Sequence, residues 1–191
     1  MFIQTEATPN PEVLKFLPGR QVLPGGSREF PDADAAAASS LASAVFALDG
    51  VRRVYFGDDF LTVTKDPDHE WAHLKAPILA EIMDHFTSGA PILEGEAPAE
   101  VVAGDEDVYE GEAADIVAEI KELLETRVRP AVAQDGGDIL FSRYEPETGV
   151  VWLHMRGACS GCPSSAATLK SGVENMLKHY VPEITRVEQT L

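Results

Sequence analysis

Val150-Val151-Trp152-Leu153-His154-Met155-Arg156-Gly157-Ala158-Cys159-Ser160-Gly161-Cys162-Pro163-Ser164-Ser165 begins as an apolar strand, passes two cysteines set among small residues, and ends on a helix start. Proline suits the first helical position, because its missing N–H would be unpaired there in any case. Pro163 therefore places Cys162 at or beside the N-cap, with the free N–H groups of the first turn facing the sulfurs. Those donors and the helix dipole favour thiolate over thiol, so lowered pKa values are expected for both cysteines. Gly157 and Gly161 allow the loop to bend until the two sulfurs converge. Thiolates, small neighbours and a donor-rich helix start are what a soft metal or a cluster requires.

Downstream, Leu169, Val173, Met176, Leu177 and Tyr180 lie on one side of a helix that stops before Pro182, and Thr185 to Thr190 reads as a short strand. Upstream, Ile139 to Tyr144 is a second strand, joined to Val150–Arg156 through Glu145-Pro146-Glu147-Thr148-Gly149 and preceded by an Asp135-Gly136-Gly137-Asp138 turn. Before that turn, Ile116, Val117, Ile120, Leu123, Leu124 and Val128 form one helical stripe, which should kink or restart at Arg129-Pro130. The order is α-β-β-α-β, an α+β domain over residues 112–191.

Residues 91–111 hold seven carboxylates, no Lys or Arg, and repeated Pro and Gly. Such a stretch cannot bury enough apolar surface to fold and reads as an acidic linker. Residues 1–90 form a second small mixed domain. Phe2–Thr5 and Val13–Leu17 are short strands separated by Thr8-Pro9-Asn10-Pro11. One helix follows Asp34, with Leu41, Val45 and Leu48 at helical spacing and Gly50 as its stop. Val51–Phe56 and Phe60–Lys65 flank Gly57-Asp58-Asp59 as a hairpin, and Pro77 should start a last helix carrying Ile78, Ile82 and Phe86.

With 191 residues, 45% of them hydrophobic, the chain has enough apolar material for a core in each half. Its net charge of −17 argues against nucleic acid and against an anionic membrane surface. No apolar run approaches the ~20 residues that span a bilayer. The start, Met1-Phe2-Ile3-Gln4-Thr5-Glu6, has neither a basic n-region nor an apolar h-region, so the expected location is the cytoplasm, or an organelle matrix once a leader has been removed. Its two cysteines lie three positions apart, which in a reducing compartment points to a metal or redox site.

By themselves, these residues leave four readings open: a soft-metal or cluster site, a redox dithiol, half of a zinc site, or a chance pairing of two cysteines in a loop. Two thiolates cannot close a four-coordinate site, and His154 should lie on the strand face opposite Leu153 and Met155. A cluster would thus need ligands from a second chain. His69-Glu70-Trp71-Ala72-His73 matches the H-E-x-x-H zinc-protease pattern, but Ala76 and Leu79 stand where the extended motif needs glycine and histidine, and Pro77 interrupts the helix. The Asp135–Asp138 turn reads as structural, with Gly136 and Gly137 permitting positive φ and Asp138 bonding backbone, and Trp71 and Trp152 as packing residues. No acid–base pair, activated nucleophile or phosphate loop appears, so no catalysis is expected.

Gly157-Ala158-Cys159-Ser160-Gly161-Cys162-Pro163-Ser164-Ser165, with Thr168-Leu169-Lys170, Asn175-Met176-Leu177, Arg129-Pro130 and Asp135-Gly136-Gly137-Asp138, resembles the C-terminal domain of Nfu-type (NifU-like) proteins. Met1-Phe2-Ile3-Gln4-Thr5, Thr8-Pro9-Asn10-Pro11, Leu14-Lys15-Phe16 and Val63-Thr64-Lys65 resemble the N-terminal domain of the same family. The resemblance implies an iron–sulfur scaffold or carrier that receives a cluster, usually [4Fe–4S] with [2Fe–2S] also open, from upstream assembly proteins and delivers it to apo client proteins. It implies Cys159 and Cys162 as ligands, and with two per chain the cluster would bridge a homodimer. The rival is a thioredoxin-like thiol oxidoreductase, which also sets Cys-x-x-Cys between strand and helix, although only 29 residues follow Cys162. A zinc-bridged dimer is a third option.

Overall fold

The computed structural model describes residues 2–94, 109–160 and 163–190. The chain divides into two compact units, residues 1–101 and 102–191.

In the first unit, β1 (Gln4–Ala7), β2 (Val13–Leu17), β3 (Arg28–Phe30), β4 (Val51–Phe56) and β5 (Leu61–Lys65) form one antiparallel sheet in the order β1-β2-β5-β4-β3. Phe16, Phe30, Val54, Phe56, Leu61 and Val63 pack in one core with Leu41, Ala42, Leu74, Ile78 and Ile82 of the helices. The expected hairpin is present, closed by the Gly57 N–H donating to the Phe60 carbonyl at 2.9 Å.

This unit departs from the sequence reading in three places. The single helix after Asp34 is two, α1 (Ala33–Ala36) and α2 (Ser40–Phe46). Ser39 breaks it: its backbone is extended and its hydroxyl accepts from the Ala42 N–H, starting a new helix in place of continuing the old one. The strand β3 went unread because three residues, Arg-Glu-Phe, carry too little alternation to signal one. The last helix, α3 (Trp71–Ser88), begins six residues before Pro77 and contains it. Leu74 continues the buried Ile78–Ile82 stripe one turn earlier, and Pro77 is exposed.

The second unit begins with α4 (Glu112–Leu123), continues through one π-helical turn (Leu124–Val128) and ends in α5 (Arg129–Gln134), with Pro130 in the first turn of α5. The predicted restart is therefore a wide turn that carries the chain past a residue with no N–H to donate. Then come β6 (Gly137–Glu145), β7 (Val150–Gly157), α6 (Pro163–Tyr180) and β8 (Arg186–Thr190). β6 and β7 are antiparallel, and β8 lies parallel to β7, so α6 is the crossover. A bulge between Phe141 and Arg143 keeps Ile139, Phe141 and Tyr144 in the core despite broken alternation. All six residues of the predicted stripe, Ile116 to Val128, meet this core, as do Val173 and Leu177 of α6. Tyr180 does not. It is 40% exposed, with the Arg127 guanidinium over its ring at 4.9 Å.

Most of the expected linker, 95–108, lies outside the described residues. Its ends do not behave as a spacer. Ile92 and Leu93 pack against the first core, Ser39 Oγ donates to the Ile92 carbonyl, and the Glu94 N–H donates to the Ala38 carbonyl. At the other end the Tyr109 hydroxyl donates to the Tyr144 carbonyl at 3.1 Å and accepts from its N–H at 2.8 Å. No described helix is long and apolar enough to cross a membrane.

Candidate cluster site

β7 delivers its last residue, Gly157, to a tight turn. The Cys159 N–H reaches the Arg156 carbonyl at 3.3 Å, and both the N–H and the hydroxyl of Ser160 donate to the Gly157 carbonyl, at 3.1 and 2.9 Å. The Ala158 N–H crosses to the Gly136 carbonyl at 3.1 Å, tying this turn to the one before β6. Pro163 is the first residue of α6, as its chemistry predicts. Cys162 and Gly161 lie outside the described residues, so the expected N-cap position of Cys162 is not described.

The ionisation expected for Cys159 is reversed. Its thiol is buried, and burial together with the carboxylates of Asp135 and Asp138 pushes its pKa up to about 12. Four residues before α6, Cys159 feels the acidic turn and a desolvated pocket more strongly than the helix start.

Asp138 does bond backbone, accepting the Ile139 N–H at 2.9 Å, but its larger partner went unread. Arg129 grips it with two parallel bonds, Nε to Oδ1 at 2.8 Å and Nη2 to Oδ2 at 2.9 Å, while also bonding Glu125 at 2.6 Å. The Asp138 side chain is 6% exposed, and the carboxylates raise the Arg129 pKa. In the sequence Arg129 stood out only as the neighbour of Pro130; the nine-residue gap to Asp138 closes through a π-turn that no periodicity announces. Gly137 departs from the positive φ expected of the turn's glycines, which Gly136 adopts, and opens β6. It faces Gly157 across the ladder, and a Cβ there would overlap the Cys159 sulfur and lie 2.8 Å from the Arg156 carbonyl oxygen.

The remaining expectations resolve as follows. His154 lies on the sheet face away from Leu153 and Met155, half-buried, its pKa lowered by burial and by Arg156. His69 precedes α3, whereas His73 lies within it, so the two imidazoles do not share a helix face; His69 instead packs on Gly50 and reaches Asp49 at 3.5 Å. Trp71 packs on the first core and donates to the Pro11 carbonyl at 3.0 Å. Trp152 is half-buried beneath the Arg143 guanidinium. Among the described residues no group of three or more His, Cys, Asp or Glu is arranged to hold a metal ion.

Two family models match the chain: the N-terminal domain of scaffold protein Nfu/NifU over residues 3–89, and the NifU-like domain over residues 120–188. The chain belongs to the Nfu/NifU family. The NifU-like match contains β6, β7, α6 and both cysteines. Among curated relatives, NifU-like protein 5, mitochondrial, of Arabidopsis thaliana is 54% identical over 99% of this chain and 68% of its own length. The NFU1 iron-sulfur cluster scaffold homolog, mitochondrial, of Drosophila persimilis is 50% identical over 99% of this chain and 65% of its own length. The human protein of that name is 47% identical over 100% of this chain and 72% of its own length. The chain thus spans about two thirds of the length of these family members.

Proposed function

We propose that this chain is an iron–sulfur cluster scaffold and carrier, in which Cys159 and Cys162 of two copies hold one [4Fe–4S] cluster that is handed to apo client proteins. The observation that carries the reading is the placement of the chain's only cysteine pair. It falls in the β7–α6 connection of a domain whose relatives are named for cluster scaffolding. A [4Fe–4S] cluster is held by four thiolates, one on each iron. Each chain offers two, so one cluster calls for two chains, most simply related by a two-fold axis. The cluster is cargo, and the chain needs no catalysis of its own to carry it. Residues 112–191 are assigned the cluster and residues 1–90 the docking of partners. The mitochondrial names of the relatives accord with an organelle matrix and lend no support to the cytoplasm.

Anaerobic reconstitution tests this. The wild-type chain should gain a visible chromophore and about four irons per two chains, and should sediment as a dimer that chelation returns to monomer. Cys159→Ser and Cys162→Ser should each keep the circular dichroism and lose the chromophore, since an alkoxide is a poor ligand for iron. A mutant retaining full iron would refute the ligand assignment. Rapid insulin reduction would point to the thiol oxidoreductase instead.

A further inference from the structure

We infer that Gly137 forms a slot that stores the Cys159 thiol while the chain is empty, so that loading requires the sulfur to leave the slot. This rests on the reading of Cys159 as a cluster ligand. In the structure Cys159 is 4% exposed, whereas a cluster shared between two chains needs its sulfur at the surface. The space the sulfur occupies exists because residue 137 has no side chain: any Cβ there would overlap it. Gly137 is absent from the glycines with positive φ, whereas its neighbour Gly136 has φ 81°. The glycine at 137 is thus required by close approach, not by backbone conformation.

The slot has a rigid floor. Arg129 clamps Asp138 bidentately, Asp138 holds the Ile139 N–H, and the Gly136 carbonyl receives the Ala158 N–H from the cysteine turn. These bonds tie the two turns to each other on either side of the thiol. A stored sulfur is shielded from thiol reagents, and a second chain or a cluster donor gains it only by drawing it out. Gly137 is a positioning residue in this scheme.

The test uses the full-length, cluster-free chain carrying Cys162→Ser, so that Cys159 is the only thiol, and follows its alkylation by a maleimide. Folded protein should react about 100-fold more slowly than the same chain in urea, and Gly137→Ala, with unchanged circular dichroism, should react about 10-fold faster than its parent, the tenfold steps corresponding to ~1.4 kcal/mol each. Equal rates for Gly137→Ala and parent would overturn the slot, as would a folded parent that reacts as fast as the unfolded chain. The added methyl also meets the Arg156 carbonyl, so Gly137→Ala alone can fail to fold. In that event the ratio of the parent's urea and folded rates decides: protection of about 100-fold supports the slot, and no protection overturns it. The cluster-ligand reading stands or falls separately, on iron uptake by Cys159→Ser.

Discussion

Arg129→Ala would leave the Asp138 carboxylate buried without its cation. Removing one partner of such a pair costs about 3–5 kcal/mol, and the lower end applies here because Arg129 keeps some exposure. Urea melts of the second unit should show that loss, and adding Asp138→Asn should restore part of it, since no charge is then stranded. The thiol of Cys159 makes a pH-dependent contribution. Its pKa is raised in the fold, to about 12 from an ordinary 9.0, so the fold favours the protonated form. That contribution is fully present below pH 9 and is lost as pH climbs from 9 towards 12, where the unfolded chain releases the proton first. The stability of the second unit should therefore fall across that window, and Cys159→Ser should flatten the fall. Identical pH profiles for the two proteins would contradict the burial of the thiol. Cluster loading must also expel that proton, so uptake should quicken with rising pH.

Among the elements, α3 shows local preference and tertiary packing in conflict. A proline at an interior helical position leaves the carbonyl four residues back without its donor, here that of His73. The helix forms through Pro77 because Leu74 gains a buried place beside Ile78 and Ile82, worth roughly 1.5–3 kcal/mol. Pro77→Ala should accordingly stabilise the first unit by up to about 3 kcal/mol without altering its core, as read from the urea midpoint. A lower midpoint would mean that the proline stiffens the unfolded chain more than it harms the helix. The break between α1 and α2 follows the opposite logic. There Ser39, fully buried, serves both as N-cap and as donor to Ile92, and a local polar bond decides the boundary.

For the whole molecule, the two units predict separable behaviour. A fragment of residues 102–191 should fold and take up the cluster, and residues 1–101 should fold without it. A fragment starting at 112 loses Tyr109, whose hydroxyl serves both polar groups of Tyr144 on β6, and should melt at lower urea than the longer piece. Failure of 102–191 to bind iron would mean that the first unit supplies a ligand. With −17 on each chain, dimerisation around an anionic cluster works against repulsion, so added salt should strengthen the holo-dimer. Elements with local signals were legible before any fold was known. The α4 stripe, β6 and β7, the hairpin of the first unit and Pro163 at the head of α6 follow from periodicity and proline chemistry, which need no partner. Cys159 and Cys162 stood out for the same reason, as a pair within four residues. The burial of the Cys159 sulfur, by contrast, comes from long-range packing. Gly137 is 22 residues from Cys159, and Asp138 nine from Arg129, and no short-range pattern records such approaches. The desolvation that reversed the expected thiolate arises from neighbours that only folding assembles.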